Sequence, residues 1–258
     1  MPSCRLCGST TGFVKSHIIP EAFFREIRDG KEAPILVSGS PGYFPKRSPI
    51  GIYDAEILCS GCESEFAQLD SYGIEVLLSC FGSFFQPMVL SGVAEGFESA
   101  TVDKLKLLDF LVSVLWRASV STQAFYRKVD LGPYEQLAID VLVAGSHAPG
   151  VFDAVLARWE DNDDDKLPTS AILDPRPERW DGIHSYRMYL GKIVAFVRVD
   201  KRPFAKPFSE LSLRSEGPCR IIGRRLATSK DLDAICKTVL TSEQNKKKFA
   251  SKRGRSES

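Results

Sequence analysis

Two Cys-x-x-Cys pairs constrain the fold of this chain more than any other feature of its sequence. The first pair is Cys4 and Cys7, and the second is Cys59 and Cys62. Each pair offers two sulfur atoms to one metal ion, and two such pairs complete the tetrahedron that a structural zinc ion requires. Residues 8–58 separate the pairs, which is a longer gap than short zinc-binding loops have. We therefore expect the metal to close the base of a larger insertion.

The cysteine count favours zinc over a disulfide framework. The chain has seven cysteines, an odd number, and four of them already have metal-type spacing. The N-terminus lacks a hydrophobic signal region, and no apolar run reaches the roughly 18–20 residues that cross a bilayer. We therefore expect a cytoplasmic protein with reduced thiols and no membrane contact.

Hydrophobic patterning predicts an α+β fold in two units. Residues 1–95 are expected to form a zinc-bound unit, in which Cys62 lies in the first turn of a helix. Residues 96–245 are expected to form a larger domain of mixed helices and strands. Residues 246–258 are basic and polar, and they are predicted to be a disordered tail.

Within the larger unit the strongest signal is an apolar helix. Residues 103–126 carry apolar side chains on nearly every face, which is typical of a helix at the centre of a domain. A second helix is predicted from about Pro133, and a short third helix from Val151 to Trp159. Residues 169–226 change to a β pattern, with two strands meeting at Gly191.

A single histidine lies between the cysteine pairs, in the segment Lys-Ser-His-Ile-Ile-Pro that ends at Pro20. A cysteine pair, a strand with His-Ile-Ile-Pro and a cysteine pair that opens a helix together resemble the HNH (His-Me finger) nucleases. The pattern is most similar to those whose ββα metal motif is built into a zinc-bound treble clef, such as phage recombination endonucleases. It also resembles a group of uncharacterised bacterial proteins with the same signatures. The resemblance covers residues 4–75 and implies a metal-dependent endonuclease that hydrolyses phosphodiester bonds of DNA or RNA.

The resemblance assigns roles to three positions. His17 matches the general base that takes a proton from water, a role that suits a group with an ordinary pKa of about 6.5. Ser16 stands where the family usually has an acidic or histidine metal ligand, and a hydroxyl binds Mg²⁺ or Mn²⁺ poorly. Glu63 matches the third motif position, and its carboxylate is a good ligand for the catalytic Mg²⁺ or Mn²⁺. Three nearby carboxylates could compensate for the serine: Asp54, Glu56 and Glu65.

Local basic clustering predicts nucleic-acid contacts, although the net charge of the chain is only +1. Lys15, Lys46 and Arg47 belong to the zinc unit, and each phosphate that such a cation neutralises adds affinity through counterion release. Tyr43 and Phe44 are expected to be exposed and to stack on unpaired bases. The plain alternative is that these cations are ordinary solvated side chains.

The serine at position 16 keeps a second function open. The chain could be a non-catalytic zinc module that binds nucleic acid or a protein partner, with His17 in a structural hydrogen bond or serving as a substitute metal ligand. A third class is a sensor whose larger domain binds a ligand and gates the zinc unit. Geometry separates the first two functions, because catalysis requires His17 and Glu63 to face one cleft.

Overall fold

The computed structural model describes residues 2–28, 33–41, 43–90, 93–145, 150–160 and 171–256. Up to residue 99 the elements are mostly short, and a π-helical turn (Glu75–Ser79) follows the one long helix among them. These elements are β1 (Ser16–His17), α1 (Glu21–Glu26), β2 (Ile35–Leu36), β3 (Lys46–Arg47), β4 (Tyr53–Asp54), α2 (Ser60–Ile74), α3 (Phe81–Phe84), β5 (Gln86–Leu90) and β6 (Val93–Ser99).

The second part of the chain holds the longer elements. They are α4 (Lys104–Val120), α5 (Glu135–Ala144), β7 (Phe152–Trp159), β8 (Ala171–Trp180), β9 (Ile183–Gly191), β10 (Ile193–Val199), α6 (Phe208–Leu211), β11 (Cys219–Arg224) and α7 (Lys230–Ser256). Together with the first group they form a mixed α/β fold.

One seven-stranded sheet organises the molecule, with the strand order β5-β6-β11-β7-β10-β9-β8. Every neighbouring pair is antiparallel except β11 and β7, which are parallel. The strands β9 and β10 meet at Gly191, as the sequence predicts. Because β10 is central and covered on both faces, every one of its residues is buried.

The apolar helix predicted over residues 103–126 is present as α4, which ends earlier, at Val120. Its N-terminus is capped by the Asp103 carboxylate, which accepts hydrogen bonds from the N–H groups of Leu105 and Lys106. The helix packs against α2, α5 and the strand β7, which explains why it is apolar nearly all round. A Cβ at Gly73 of α2 would lie 2.4 Å from the Phe110 ring, so this glycine allows the two helices to approach.

The short helix predicted over Val151 to Trp159 is wrong, because these residues form β7. All but one of the residues of β7 are buried, since the strand lies between β11 and β10 in the sheet. A strand that is buried on both faces loses the polar–apolar alternation that identifies strands in a sequence. Its short apolar run is therefore equally compatible with a strand and with one face of a helix.

The predicted boundary at residue 95 falls inside β6, which pairs with β5 on one side and β11 on the other. One hydrophobic core also contains side chains from both sides of this position. For example, the Phe66 ring stacks on the Trp116 ring at a centroid distance of 5.6 Å. The division into units 1–95 and 96–245 therefore stays a prediction about folding, and the two parts share one core.

The C-terminal segment predicted to be a disordered tail instead continues α7 as far as Ser256. Lysine and arginine, which make up six of residues 246–258, have high helix propensity. A helix that is already formed and packed can also be extended without a new nucleation cost. Residues 257 and 258 lie outside the described residues.

Candidate metal centre and adjoining cleft

The structure brings the four cysteines of the two pairs together. The Sγ atoms of Cys4, Cys7, Cys59 and Cys62 all lie within 4.8 Å of one another, and those of Cys7 and Cys59 are 3.6 Å apart. Four sulfurs at about 2.3 Å from one zinc ion would be separated by about 3.8 Å, so the cluster has the size of a tetrahedral zinc site. Among the described residues it is the only group of three or more such ligands close enough to hold a metal ion.

Backbone hydrogen bonds hold the two cysteine pairs against each other. The first pair lies on a tight turn, in which the Gly8 N–H donates to the Cys4 carbonyl at 2.8 Å, and Gly8 has the positive φ of 77° that such a turn needs. The second pair opens α2, which starts directly after Cys59. The turn and the helix start are joined because the Arg5 N–H donates to the Ile57 carbonyl at 2.8 Å.

The surroundings of the Cys4 sulfur favour the thiolate form that binds metals. Burial alone would raise the pKa of Cys4, but backbone N–H groups of Cys7, Cys59 and Leu6 point at its sulfur and lower the pKa to about 6. Burial and the neighbouring sulfurs raise the pKa of Cys62. A bound cation would supply the positive charge that allows all four sulfurs to be thiolates together.

His17 lies on a two-residue strand beside the cysteine cluster. The strand β1 pairs antiparallel with β4, so that His17 faces Tyr53 and Ser16 faces Asp54. Because neighbouring side chains of a strand point to opposite faces, Ser16 is turned inward and is fully buried, whereas His17 is half-buried. The edge of the His17 ring contacts the Tyr53 ring at a centroid distance of 6.0 Å.

His17 and Glu63 line the same open cleft, which has a volume of about 530 Å³. Glu63 is in the first turn of α2, and the residues Ala67, Asp70 and Ser71 continue the cleft wall along the same face of that helix. The Nε2 atom of His17 and the Oε2 atom of Glu63 are both buried and have no hydrogen-bond partner among the described residues. A buried polar atom without a protein partner is able to bind a water molecule or an ion.

The other sequence candidates for metal ligands do not reach the cleft. The Oγ atom of Ser16 is buried without a partner, and Ser16 is not part of the cleft wall. Asp54 is buried, and its carboxylate accepts hydrogen bonds from Ser121 and Thr122. Glu56 and Glu65 are also absent from the cleft wall. Glu63 is therefore the only sequence-predicted carboxylate that lines the cleft.

A buried ion pair between Arg117 and Asp70, which the sequence did not indicate, holds the wall of the cleft in place. Arg117 of α4 is fully buried, and its two terminal nitrogens donate to the Asp70 carboxylate at 2.6 and 2.9 Å. One of the same nitrogens, Nη1, also donates to the backbone carbonyl of His17 at 2.7 Å. Arg117 thus joins the histidine strand to α2. The one signal in the sequence was that Asp70 follows Glu63 by two helical turns and so shares its face.

The predicted basic contacts lie in two places. Lys15 lines the cleft, and its Nζ atom is 4.9 Å from the centre of the Tyr53 ring. Lys46 and Arg47 form β3, where both are exposed, and they are not part of the cleft wall. The expectation that Tyr43 is exposed is wrong, because only 6% of its surface is accessible and its ring packs edge-on against Phe125.

Comparisons of the chain with protein-family models, with curated proteins and with solved structures return no match. Among the helices of the described residues, none combines the length and the apolar character needed to cross a membrane.

Proposed function

We propose that this chain is an HNH-type, metal-dependent endonuclease that hydrolyses phosphodiester bonds of DNA or RNA. The observation that carries the proposal is the pair of unpartnered atoms, His17 Nε2 and Glu63 Oε2, on two residues that line one cleft. The order of the supporting elements also fits, because an antiparallel strand pair leads into a helix that begins at the second cysteine pair. This arrangement is the one expected of a ββα motif inside a treble clef.

The proposal gives the cysteine cluster a structural role. Zinc held by Cys4, Cys7, Cys59 and Cys62 would have four protein ligands, which is typical of a structural site with no open position for a substrate. The ion would fix the start of α2, and with it the position of Glu63, relative to the strand that carries His17.

In the proposed reaction His17 accepts a proton from the water that attacks the phosphodiester. Its backbone carbonyl accepts a hydrogen bond from Arg117, which fixes the strand that carries the ring. Glu63 is the residue that would hold a divalent cation, because its Oε2 atom has no protein partner whereas Asp70 is occupied by Arg117. When bound, Mg²⁺ or Mn²⁺ supplies positive charge that stabilises the developing charge on the phosphate. Lys15 lies where it can contact the phosphate backbone.

Cleavage of supercoiled plasmid and of single-stranded substrates in Mg²⁺ or Mn²⁺ tests the proposal. His17→Ala should lower the cleavage rate by about 10² to 10⁴-fold, which is the usual contribution of a general base. A matched control is His184→Ala, because His184 is also half-buried but lies in the sheet, with its Nδ1 atom 3.3 Å from the Val199 carbonyl. Equal cleavage by the parent and His17→Ala, or no cleavage by the parent, contradicts the catalytic proposal.

A non-catalytic zinc module that binds nucleic acid is the second candidate. The burial of Ser16 favours it, because the residue in the family's usual metal-ligand position is turned away from the cleft. This alternative expects binding that depends on zinc and on salt but is unaffected by Mg²⁺. Fluorescence anisotropy with a labelled duplex, in the presence and absence of Mg²⁺, separates it from the enzyme when combined with the cleavage assay.

A further inference from the structure

The end of α7 is strongly basic. Residues 244–256 contain six lysines and arginines and no aspartate or glutamate. Lys246 and Lys247 are exposed in the structure. Because the proposed catalytic cleft contains no residue of this helix, its charge is not explained by the function proposed above.

A specific contact fixes this helix to the segment between β2 and β3. The side-chain amide of Asn245 donates to the Ser40 carbonyl at 3.1 Å and to the Tyr43 carbonyl at 2.9 Å. One turn earlier, Ser242 is fully buried. The last well-packed turn of α7 is therefore held on the β2–β3 segment immediately before Lys246.

Two further cations lie at the same segment, one from β3 at its end and one from the loop after α4. The Lys46 Nζ atom lies 5.5 Å from the centre of the Tyr43 ring, whose backbone carbonyl binds Asn245. Arg127, from the loop after α4, donates to the Pro41 carbonyl at 3.4 Å. Three stretches that are far apart in sequence thus place cations around one loop. We call this group the basic surface, and it consists of Lys46, Arg47, Arg127, Lys246 and Lys247.

Four of the five cations of the basic surface are not paired with a carboxylate in the described part of the chain. Among the described residues, Lys46, Arg127, Lys246 and Lys247 form no ion pair with a carboxylate. Like charges that are held close together repel each other, and they create a positive potential that attracts anions. A polyanion with regularly spaced charges would neutralise several of these cations at once and would release counterions.

We propose that the basic surface binds the phosphate backbone of nucleic acid without sequence preference. This inference rests on the proposed nucleic-acid substrate, but it places an anchoring contact outside the catalytic cleft. The contacts would be made to phosphates, because exposed lysine and arginine side chains are suited to phosphate oxygens and Tyr43 is too buried to stack on bases.

The experiment measures binding of the full-length protein to a labelled 20-base-pair duplex by fluorescence anisotropy, without added divalent cation, over a series of salt concentrations. The double variant Lys246→Gln, Lys247→Gln should weaken binding about tenfold or more at 0.1 M salt. It should also reduce the slope of log K against log salt by about two, because two phosphate contacts are lost. The matched control is Lys230→Gln, Lys237→Gln, which removes the same charge from exposed positions on the same helix. This control should change the affinity less than about threefold.

A third variant tests the attachment of the helix without changing its charge. Asn245→Ala removes the two hydrogen bonds to the β2–β3 segment and should also weaken binding, by at least about threefold. Equal affinities for the Lys246/Lys247 variant and its control overturn the proposal. Tighter binding of the parent to phosphatidylserine vesicles than to the duplex also overturns it, because the partner would then be a membrane surface.

Cleavage assays distinguish failure of this inference from failure of the proposed function. At limiting substrate the Lys246/Lys247 variant should cleave more slowly in proportion to its weaker binding, whereas His17→Ala should bind with parental affinity and cleave slowly. Loss of binding in the Lys246/Lys247 variant supports the basic surface even if the parent shows no cleavage. Parental binding in that variant rejects the basic surface even if His17 proves to be catalytic.

Discussion

The cysteine cluster and the cleft beside it lie at the same helix start, but they differ in how completely the chain supplies ligands. In the cluster, four sulfurs surround one point and are held by backbone hydrogen bonds. In the cleft, His17 and Glu63 each leave one buried polar atom without a partner. A site closed by four protein ligands is suited to stabilising a fold, whereas an incomplete site leaves room for a hydrated ion or a substrate.

The two sites also differ in how far apart in sequence their contributing residues lie. The cysteines come from two short motifs, and the spacing within each motif is enough to identify them. The cleft instead depends on Arg117, which lies 100 residues from His17 in sequence and 47 from Asp70. The cysteine cluster can therefore be recognised from short sequence motifs. The residues that support the cleft can be identified only from the three-dimensional packing of the core.

The largest expected loss of stability comes from removing one sulfur ligand of the cysteine cluster. Cys59→Ser should abolish stoichiometric zinc binding and reduce the free energy of unfolding by more than ~4 kcal/mol, because binding of structural zinc contributes about 10 kcal/mol or more to folding. Elemental analysis and denaturant unfolding check this. Cys236→Ser is the control, since Cys236 is exposed on α7, and it should change stability by less than ~0.5 kcal/mol. If the parent protein holds no zinc, the cysteine cluster is not a closed metal site, and the difference proposed between it and the cleft is wrong.

A smaller loss of stability is expected when the ion pair between Arg117 and Asp70 is removed from beneath the cleft wall. Arg117→Met leaves the Asp70 carboxylate without its partner and the His17 carbonyl without its donor, which should cost about 3–5 kcal/mol of stability. Adding Asp70→Asn should recover part of this loss, because the uncompensated charge is then gone. Denaturant unfolding of the two single variants and the double variant measures the coupling. A cost below about 1 kcal/mol for Arg117→Met would show that the ion pair does not hold the cleft.

A buried carboxylate away from the cleft offers a comparison with Glu63. Asp174 is 1% exposed, and burial raises its pKa from 3.8 to about 6, although Lys128 and Ser38 act in the opposite direction. The folded state therefore binds a proton more tightly than the unfolded state, and stability is lost as the pH rises from about 4 to about 6. Asp174→Asn should remove this loss and gain up to about 3 kcal/mol at pH 7, but almost nothing at pH 4.

Thermal and denaturant unfolding between pH 4 and pH 8 checks this prediction. The matched variant is Glu63→Gln, which faces the cleft, and it should change stability by less than ~1 kcal/mol over the same range. A gain for Asp174→Asn that does not depend on pH would show that burial does not raise the pKa of this carboxyl in the folded protein.

Part of the fold was predictable because local signals were unambiguous. The cysteine spacing correctly predicted a four-sulfur cluster, and an uninterrupted apolar stretch correctly predicted α4. The strand β7 was predicted as a helix, because burial on both faces removes the alternation that would identify it. The predicted boundary at residue 95 falls inside β6, because glycine and proline interrupt the apolar pattern of β5 and β6 and only the pairing with β11 makes them part of the sheet.

Part of the candidate site was predictable for the same reason. The resemblance to the HNH nucleases points to His17 and Glu63, and the side chains of both residues line one cleft. The inward orientation of Ser16 follows from the pairing of β1 with β4, which a two-residue strand does not reveal in a sequence. The role of Arg117 could not be predicted, because an arginine in an apolar helix gives no indication of which distant carboxylate it will meet.

The position of β11 in the sheet determines when this protein can finish folding during synthesis. That strand follows the other six strands of the sheet in sequence but lies between β6 and β7, so it joins the β5–β6 pair to the other four strands. A nascent chain that has emerged only to α6 therefore has two separate groups of strands with unpaired edges. Until β11 leaves the ribosome, the polypeptide exposes unpaired strand edges that chaperones recognise, and a premature stop before Cys219 should yield an aggregating product.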